Sequence, residues 1–313
     1  MTKKEKYNII FIGTPDYSVL TLQSLIADER FSVLAVITAP DAKVGRKQIL
    51  TPSPVKVEAQ KHNIKTLQPK KISAIVEDVE ELNPDIIITI AYGQILPEKI
   101  LNIPQYGCLN LHASLLPKYR GASPIQSAIA NGETEAGVTL IKMDKGMDTG
   151  DIIAQEKIEI DNLETGASLH DKLSKLSAEI ALKYIADYIK GKLKLQKQNE
   201  KQSTIAPKLT RDSGKIDWNK SAEEIKRLVR AFYPWPGTWC VWDNKILKII
   251  SADEIIPVNK YELGEIFLHK NKFAVQCGQN SILIKELQME GKRKVDSREF
   301  LTGHKNIVGV KLK

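Results

Sequence analysis

Residues 85 to 92 read Asp-Ile-Ile-Ile-Thr-Ile-Ala-Tyr. From Ile86 to Tyr92 every residue but Thr89 is apolar, so the segment has no polar face to turn toward water. A short run of this kind, rich in β-branched residues, reads as a strand buried on both faces, which is the habit of parallel sheets covered by helices. The signature recurs on either side. Tyr7 to Ile12 is an apolar run ending at Gly13, Ser32 to Thr38 is rich in Val and Ile, and Gly107 to Ala113 reads GCLNLHA. Between these runs the spacing predicts helices over Asp16–Ala27, Pro54–His62 and Pro124–Ala130. A long amphipathic segment, Thr165–Ile189, puts Leu169, Leu173, Leu176, Ile180, Tyr184 and Ile185 on one side. Continuous apolar strands alternating with helices predict an α/β fold, a doubly wound, mostly parallel, Rossmann-like sheet.

That pattern does not run to the end of the chain. With 313 residues the chain exceeds one ordinary core, and two domains are expected. Residues 1–190 form the first, the predicted α/β domain. Gly191 to Thr204, GKLKLQKQNEKQST, is lysine-rich and poor in apolar residues, so 191–206 reads as a basic linker. Over 207–313 the periodicity changes to one helix, Ser221–Phe232, with Ser221 and Glu224 placed for a capping box, followed by short strands. The strands fall at Gly237–Trp242, Lys245–Ile250, Gly264–Leu268, Lys272–Cys277 and Ser281–Leu287. Five short strands divided by turn residues predict a small OB-like β-barrel.

Composition narrows the class. An apolar fraction of 42% excludes disorder throughout, and 18 Gly and 14 Pro without a period exclude fibrous classes. Cys108, Cys240 and Cys277 stand far apart with no CxxC pair, which fits free thiols in a cytoplasmic protein. The run after the basic start is too short for a secretory core or a bilayer span, so neither export nor a membrane is expected. The net charge of +8 is unevenly placed: residues 1–190 hold 22 Lys plus Arg against 24 Asp plus Glu, a balance of −2, while 191–313 hold 24 against 14, a balance of +10. Such asymmetry points to a polyanion, of which nucleic acid is the commonest, with a merely soluble basic surface as the plain alternative.

The densest chemistry runs from Asn110 to Gly121, NLHASLLPKYRG. Side chains alternate along a strand, so Asn110 and His112 share a face at the carboxyl end of GCLNLHA, where open α/β sheets place their ligands. Asn offers an uncharged N–H to an oxyanion, and His can take or orient a proton near neutral pH. A carboxylate would complete the set, and Asp144, Asp148 and Asp151 are candidates in one glycine-bearing loop. Each has a plain reading too: buried polar residues satisfying backbone, and an ordinary Asp/Gly turn. Ser114 lacks a GxSxG elbow, and Gly13-Thr14-Pro15 matches neither GxGxxG nor a Walker loop. His62, His170, His269 and His304 have no ligand-like companions, and core packing is the expected role for most of Trp218, Trp235, Trp239 and Trp242.

Six segments together resemble, in the same order, those of the methionyl-tRNA formyltransferase family: GTPDYSVL (13–20), TAPDAKVGRKQILTPSPVK (38–56), AYGQILP (91–97), NLHASLLPKYRGASPIQ (110–126), GVTLIKMDKGMDTGDII (137–153) and RAFYPWPGTW (230–239). The Asn, His, SLLP and Asp pattern belongs to folate-dependent formyltransferases at large, including those acting on sugar nucleotides. The 38–56 loop and the YPWP segment in a basic second half are similar to the tRNA enzymes. The resemblance implies transfer of a formyl group from 10-formyltetrahydrofolate to methionyl-initiator tRNA by a monomer without a metal. It implies Asn110, His112 and Asp148 as the catalytic trio and Ser114, Leu115, Leu116 and Pro117 as the folate-contacting stretch. Lys43, Arg46 and Lys47 would lie in a loop that meets tRNA. The family often has Arg directly after the loop Asp, whereas this chain has Ala42 and then Lys43. Two rivals remain at this level: the same chemistry on a small amine, and an RNA-binding module without catalysis.

Overall fold

A computed structural model describes residues 6–45 and 47–313. By internal contacts the chain forms two compact units. The first takes the chain up to Pro124, Glu135–Glu159 and His170–Ala206. The second takes Ile125–Thr134, Ile160–Leu169 and Pro207–Lys313.

In the first unit β1 (Tyr7–Gly13), α1 (Val19–Ala27) and β2 (Phe31–Ile37) lead into a hairpin of β3 (Ala42–Val44) and β4 (Ile49–Thr51). Then come α2 (Pro54–Lys61), β5 (Lys65–Leu67), α3 (Val76–Leu82), β6 (Ile86–Ile90) and α4 (Glu98–Leu101). β7 (Cys108–His112), β8 (Arg120–Gly121), α5 (Pro124–Ala130), β9 (Glu135–Lys142), β10 (Asp151–Glu159), α6 (Gly166–Ile189) and β11 (Ile205–Ala206) follow. The main sheet has the order β10-β9-β7-β6-β1-β2-β5. All five residues of β6 are buried, as an apolar strand between two covered faces requires. Strands β5, β2, β1, β6 and β7 run parallel, whereas β9 and β10 are antiparallel additions at one edge. From β1 the chain builds outward through β2 to β5, then returns to lay β6 and β7 on the other side of β1. The sheet thus has a switch point at β1 and β6, where α/β folds open a ligand crevice.

Several local structures follow from their residues. Ser53 caps α2 by accepting the N–H of Lys56, with Pro54 in the first turn where its missing N–H costs nothing. The loop read at 38–56 is a hairpin with clamped feet: the hydroxyls of Thr38 and Ser53 lie 2.7 Å apart, and Lys56 donates to both carboxylate oxygens of Asp41 at 2.8 Å. The stretch 191–206, read as a linker, is tied down in the first unit. Gln196 and Ile152 exchange backbone hydrogen bonds at 2.8 Å, and β11 pairs in parallel with β8. Backbone pairing and polar side chains hold it, which a reading based on apolar periodicity does not register.

In the second unit α7 (Ala222–Ala231) starts with the expected capping box between Ser221 and Glu224. The strands are β12 (Thr238–Trp242), β13 (Lys245–Ile256), β14 (Ile266–His269), β15 (Lys272–Gln276), β16 (Ser281–Met289) and β17 (Val295–Asp296), followed by α8 (Ser297–Gly303). The antiparallel order is β12-β13-β16-β15-β14, with β17 on β16. The last residues join its two edges: Leu312 donates to the Gly264 carbonyl and Ile266 to that of Val310, while Lys313 and Val241 exchange hydrogen bonds at 3.1 and 2.7 Å. The terminal segment thereby closes the sheet into a barrel, filled by Ile225, Leu247, Phe273, Ile282 and Phe300. Trp218 and Trp242 are buried in it, whereas Trp235 is exposed.

Candidate active site

The site is built on the carboxyl end of β7. Asn110 pairs with Thr89 of β6 on one side and Ile141 of β9 on the other, and His112 pairs with Thr139. Asn110 and His112 therefore share one face, as alternation along a strand demands.

Of the three loop aspartates only Asp148 joins them. Asp144 is spent on its own turn, accepting from the Gly146 N–H at 2.9 Å and the Thr149 hydroxyl at 2.6 Å, and Asp151 is the first residue of β10. Asp148 sits at φ +56°, a left-handed conformation that a non-glycine residue keeps only where its surroundings over-determine it. One carboxylate oxygen, Oδ1, accepts from Asn110 Nδ2 at 3.2 Å. The other, Oδ2, accepts from the Gly121 N–H at 2.9 Å and lies 3.5 Å from Nδ1 of His112. Both side chains are largely withdrawn from water, with 7% of His112 and 15% of Asp148 exposed.

The imidazole is held from both ends. Its Nε2 lies 2.8 Å from the carbonyl oxygen of Tyr119. A carbonyl can only accept, so Nε2 carries the hydrogen and Nδ1 is the nitrogen turned to Asp148. His112 thus presents no second nitrogen for direct contact with a reacting group, a restriction that strand periodicity could not reveal.

Ser114–Pro117 form a built turn after β7. The Ser114 hydroxyl donates to the Lys118 carbonyl at 2.7 Å, and Thr139 Oγ1 links the Ser114 carbonyl, at 2.6 Å, to the Leu116 N–H, at 3.1 Å. Ser114 and Leu116 are buried, while Leu115 and Pro117 keep part of their surface. Leu116 and Pro117 also line a cavity of about 440 Å³ with Gln155 and Gln198, which does not include the Asn110, His112 and Asp148 group. Lys43 and Lys47 are exposed on the β3–β4 hairpin beside the exposed apolar side chains Val44, Ile49 and Leu50. Arg46 lies outside the described residues.

Two features were not legible in the sequence. The hydroxyls of Thr89 and Tyr92 are buried without a hydrogen-bond partner among the described residues, and burial pushes the Tyr92 phenol above its ordinary pKa. Thr89 neighbours Asn110 in the sheet. Second, Arg120, buried but for 5% of its side chain, reaches Gln198 and Glu200, and Gln198 reaches the Asp148 loop. The only sequence signal for Arg120 was its place beside Gly121 in the NLHASLLPKYRG run.

Comparison with known proteins places this geometry. Residues 7–185 match the family described as formyl transferase, and residues 208–305 match the formyl transferase C-terminal domain. The methionyl-tRNA formyltransferase of Caldanaerobacter subterraneus subsp. tengcongensis is 43% identical over 308 residues, covering 97% of this chain and 99% of that protein. That of Lachnospira eligens is 44% identical over 312 residues, with coverage of 97% and 99%. Among solved structures, the sugar 3N-formyl transferase WlaRD, crystallised in the presence of dTDP and 5-N-formyl-THF, superposes with a TM-score of 0.65 at 24% identity, over 92% of this chain and 99% of that one. At that identity the likeness bears on the fold alone.

Proposed function

Since the chain belongs to the formyl transferase family, we propose that it carries a formyl group from 10-formyltetrahydrofolate to the free α-amino group of methionylated initiator tRNA. The observation that carries the chemistry is the convergence of Asn110, His112 and the Gly121 N–H on the Asp148 carboxylate at the end of β7. The full-length likeness to methionyl-tRNA formyltransferases and the +10 balance of residues 191–313 support the choice of acceptor.

10-Formyltetrahydrofolate supplies the formyl carbon on a nitrogen that can depart once protonated. The residues fit such a ligand: Thr89, which pairs with Asn110 in the sheet, and Tyr92 offer buried hydroxyls without a partner among the described residues, and Leu115 and Pro117 are the members of the SLLP turn with surface to give.

Asn110 acts on the formyl oxygen. One of its two amide hydrogens is committed to Asp148, and the second donates to the oxygen as the amine lone pair bonds to carbon and negative charge builds there. A donor of this kind is worth about 10²- to 10³-fold in rate. Asp148 and His112 handle the proton as a pair. The carboxylate accepts the proton that the amine gives up as the new C–N bond forms, and His112, pinned by the Tyr119 carbonyl, packs against the carboxylate and orients it. The pair then returns that proton to the departing nitrogen, so none is gained or lost over the cycle. Lys43 and Lys47 on the hairpin and Arg46 between them in sequence, with the basic second unit, hold tRNA phosphates, a sequence-independent grip.

The test is direct. The protein is incubated with 10-formyltetrahydrofolate and methionylated initiator tRNA, and formyl on methionine is measured, with free methionine and an amino sugar nucleotide as alternative acceptors. Formylation of the tRNA alone supports the reading, and turnover of the sugar nucleotide without tRNA refutes it.

A further inference from the structure

We propose that Gln198 is a positioning residue for this reaction: its amide, locked by Arg120, holds the loop that carries Asp148 in the geometry the transfer needs. The inference rests on the reading above and assigns a role to a residue far from the trio in sequence.

All the hydrogen-bonding capacity of the Gln198 amide is used. Nε2 donates to the carbonyls of Asp148 and Gly150, both at 2.8 Å, so it grips the loop on either side of Thr149. Oε1 accepts twice from one guanidinium, Nε of Arg120 at 3.1 Å and Nη2 at 2.8 Å. Those two bonds settle which way round the amide lies, because guanidinium can only donate. Arg120 is fixed in turn by a bidentate pair with Glu200 at 2.8 Å, and its own backbone N–H donates to the Thr204 carbonyl at 2.9 Å. The next residue, Gly121, supplies the N–H that reaches the Asp148 carboxylate. Residues 120 and 121 therefore hold Asp148 from two directions, its backbone through Gln198 and its side chain directly.

Asp148 needs this hold. At φ +56° its backbone is in a conformation that costs a non-glycine residue free energy, and two donated hydrogen bonds to the flanking carbonyls offset that cost. Release of the loop would leave the aspartate present but displaced. Displacements of about 1 Å in a catalytic constellation cost on the order of 10²-fold in rate.

Two variants separate positioning from simple attachment. Gln198→Glu keeps an acceptor for Arg120 and adds charge attraction to it, yet replaces the donor facing the Asp148 and Gly150 carbonyls by an acceptor. Gln198→Ala removes both halves. For each, kcat, the KM for folate and for tRNA, Tm, and the side-chain ¹⁵N shifts of His112 are measured. The expected result is a kcat lower by about 10- to 100-fold in Gln198→Glu, with both KM values within about threefold, Tm lower by no more than about 4 °C, and a displaced His112 Nδ1 resonance. If Gln198→Glu keeps kcat within twofold and leaves His112 unshifted, Gln198 only attaches its segment and the proposal fails. The His112 signal is read without turnover. A native protein inactive on methionyl-tRNA would therefore overturn the functional reading while the spectra still decide the role of Gln198.

Discussion

Replacing Asp148 by asparagine keeps the size of the side chain and removes its charge. In the native site one oxygen accepts from Asn110 at 3.2 Å, and the other accepts from the Gly121 N–H at 2.9 Å while facing His112 Nδ1 at 3.5 Å. An amide must turn its NH2 toward one of these groups, so whichever way it lies it sets a donor against Asn110 Nδ2 or against the Gly121 N–H. The loss of the proton acceptor is larger. An amide cannot take the proton that the carboxylate takes from the attacking amine, and the lower end of what a positioned proton acceptor contributes is about 3–4 kcal/mol. At about 1.4 kcal/mol per decade the transfer step slows by roughly 10²- to 10³-fold. The assay is single-turnover formylation of methionyl-tRNA with enzyme in excess, which reads the transfer step rather than product release, backed by steady-state KM for both substrates. A loss of less than tenfold, or one carried entirely by KM, would refute the assignment of Asp148 to the proton-handling pair.

Other consequences are as open to measurement. Gly121→Ala would place a Cβ 2.6 Å from the Ala206 carbonyl oxygen at φ +113°, so melting should occur about 3–10 °C lower; an unchanged Tm would mean that the β8–β11 pairing gives way without cost. Arg120 donates to Glu200 and holds its carboxyl below the usual range. That contribution is complete above the ordinary carboxylate pKa of about 4.3 and drains away as pH falls through the lowered value. Amide hydrogen exchange over residues 196–204, corrected for the intrinsic rate, should accordingly rise on acidification below pH about 4.3 and be flat above it. Burial pushes all three thiols up to about 12, so the native protein should resist a thiol-specific disulfide reagent at pH about 8 and react only on unfolding; labelling of the folded chain would contradict the burial of Cys108, Cys240 and Cys277. The KM for tRNA should climb steeply with salt and that for folate hardly at all, because only the former is gripped through phosphates; equal slopes would count against that division of labour.

Elements that bury a continuous apolar surface were legible from residues alone. β1, β6 and β7 fall within two residues of their predicted bounds because a covered sheet hides IIFI or IIITI on both faces. β9 and β10 went unread: Glu135–Lys142 and Asp151–Glu159 carry charges at their ends, and what makes them strands is pairing with each other and with β7. The same holds for residues 191–206, whose polar composition suggests a linker while its backbone pairs with Ile152 and β8.

The sequence by itself determined the central parallel strands β2, β1, β6 and β7, the change of pattern near residue 200 and the presence of Asn110 and His112 on one strand face, since these follow from short-range periodicity and the segregation of apolar side chains from water. Only the tertiary structure showed that Asp148, which residue pattern left as one of three candidates and resemblance alone singled out, meets them, that the imidazole's far nitrogen is spent on the Tyr119 carbonyl, and that Gln198 and Arg120 stand behind the Asp148 loop. Apart from the His112–Tyr119 bond, which spans seven positions, those choices depend on contacts between residues about 35 to 80 positions apart, and a polar side chain's partner is set by where folding brings the chain, not by the residues beside it.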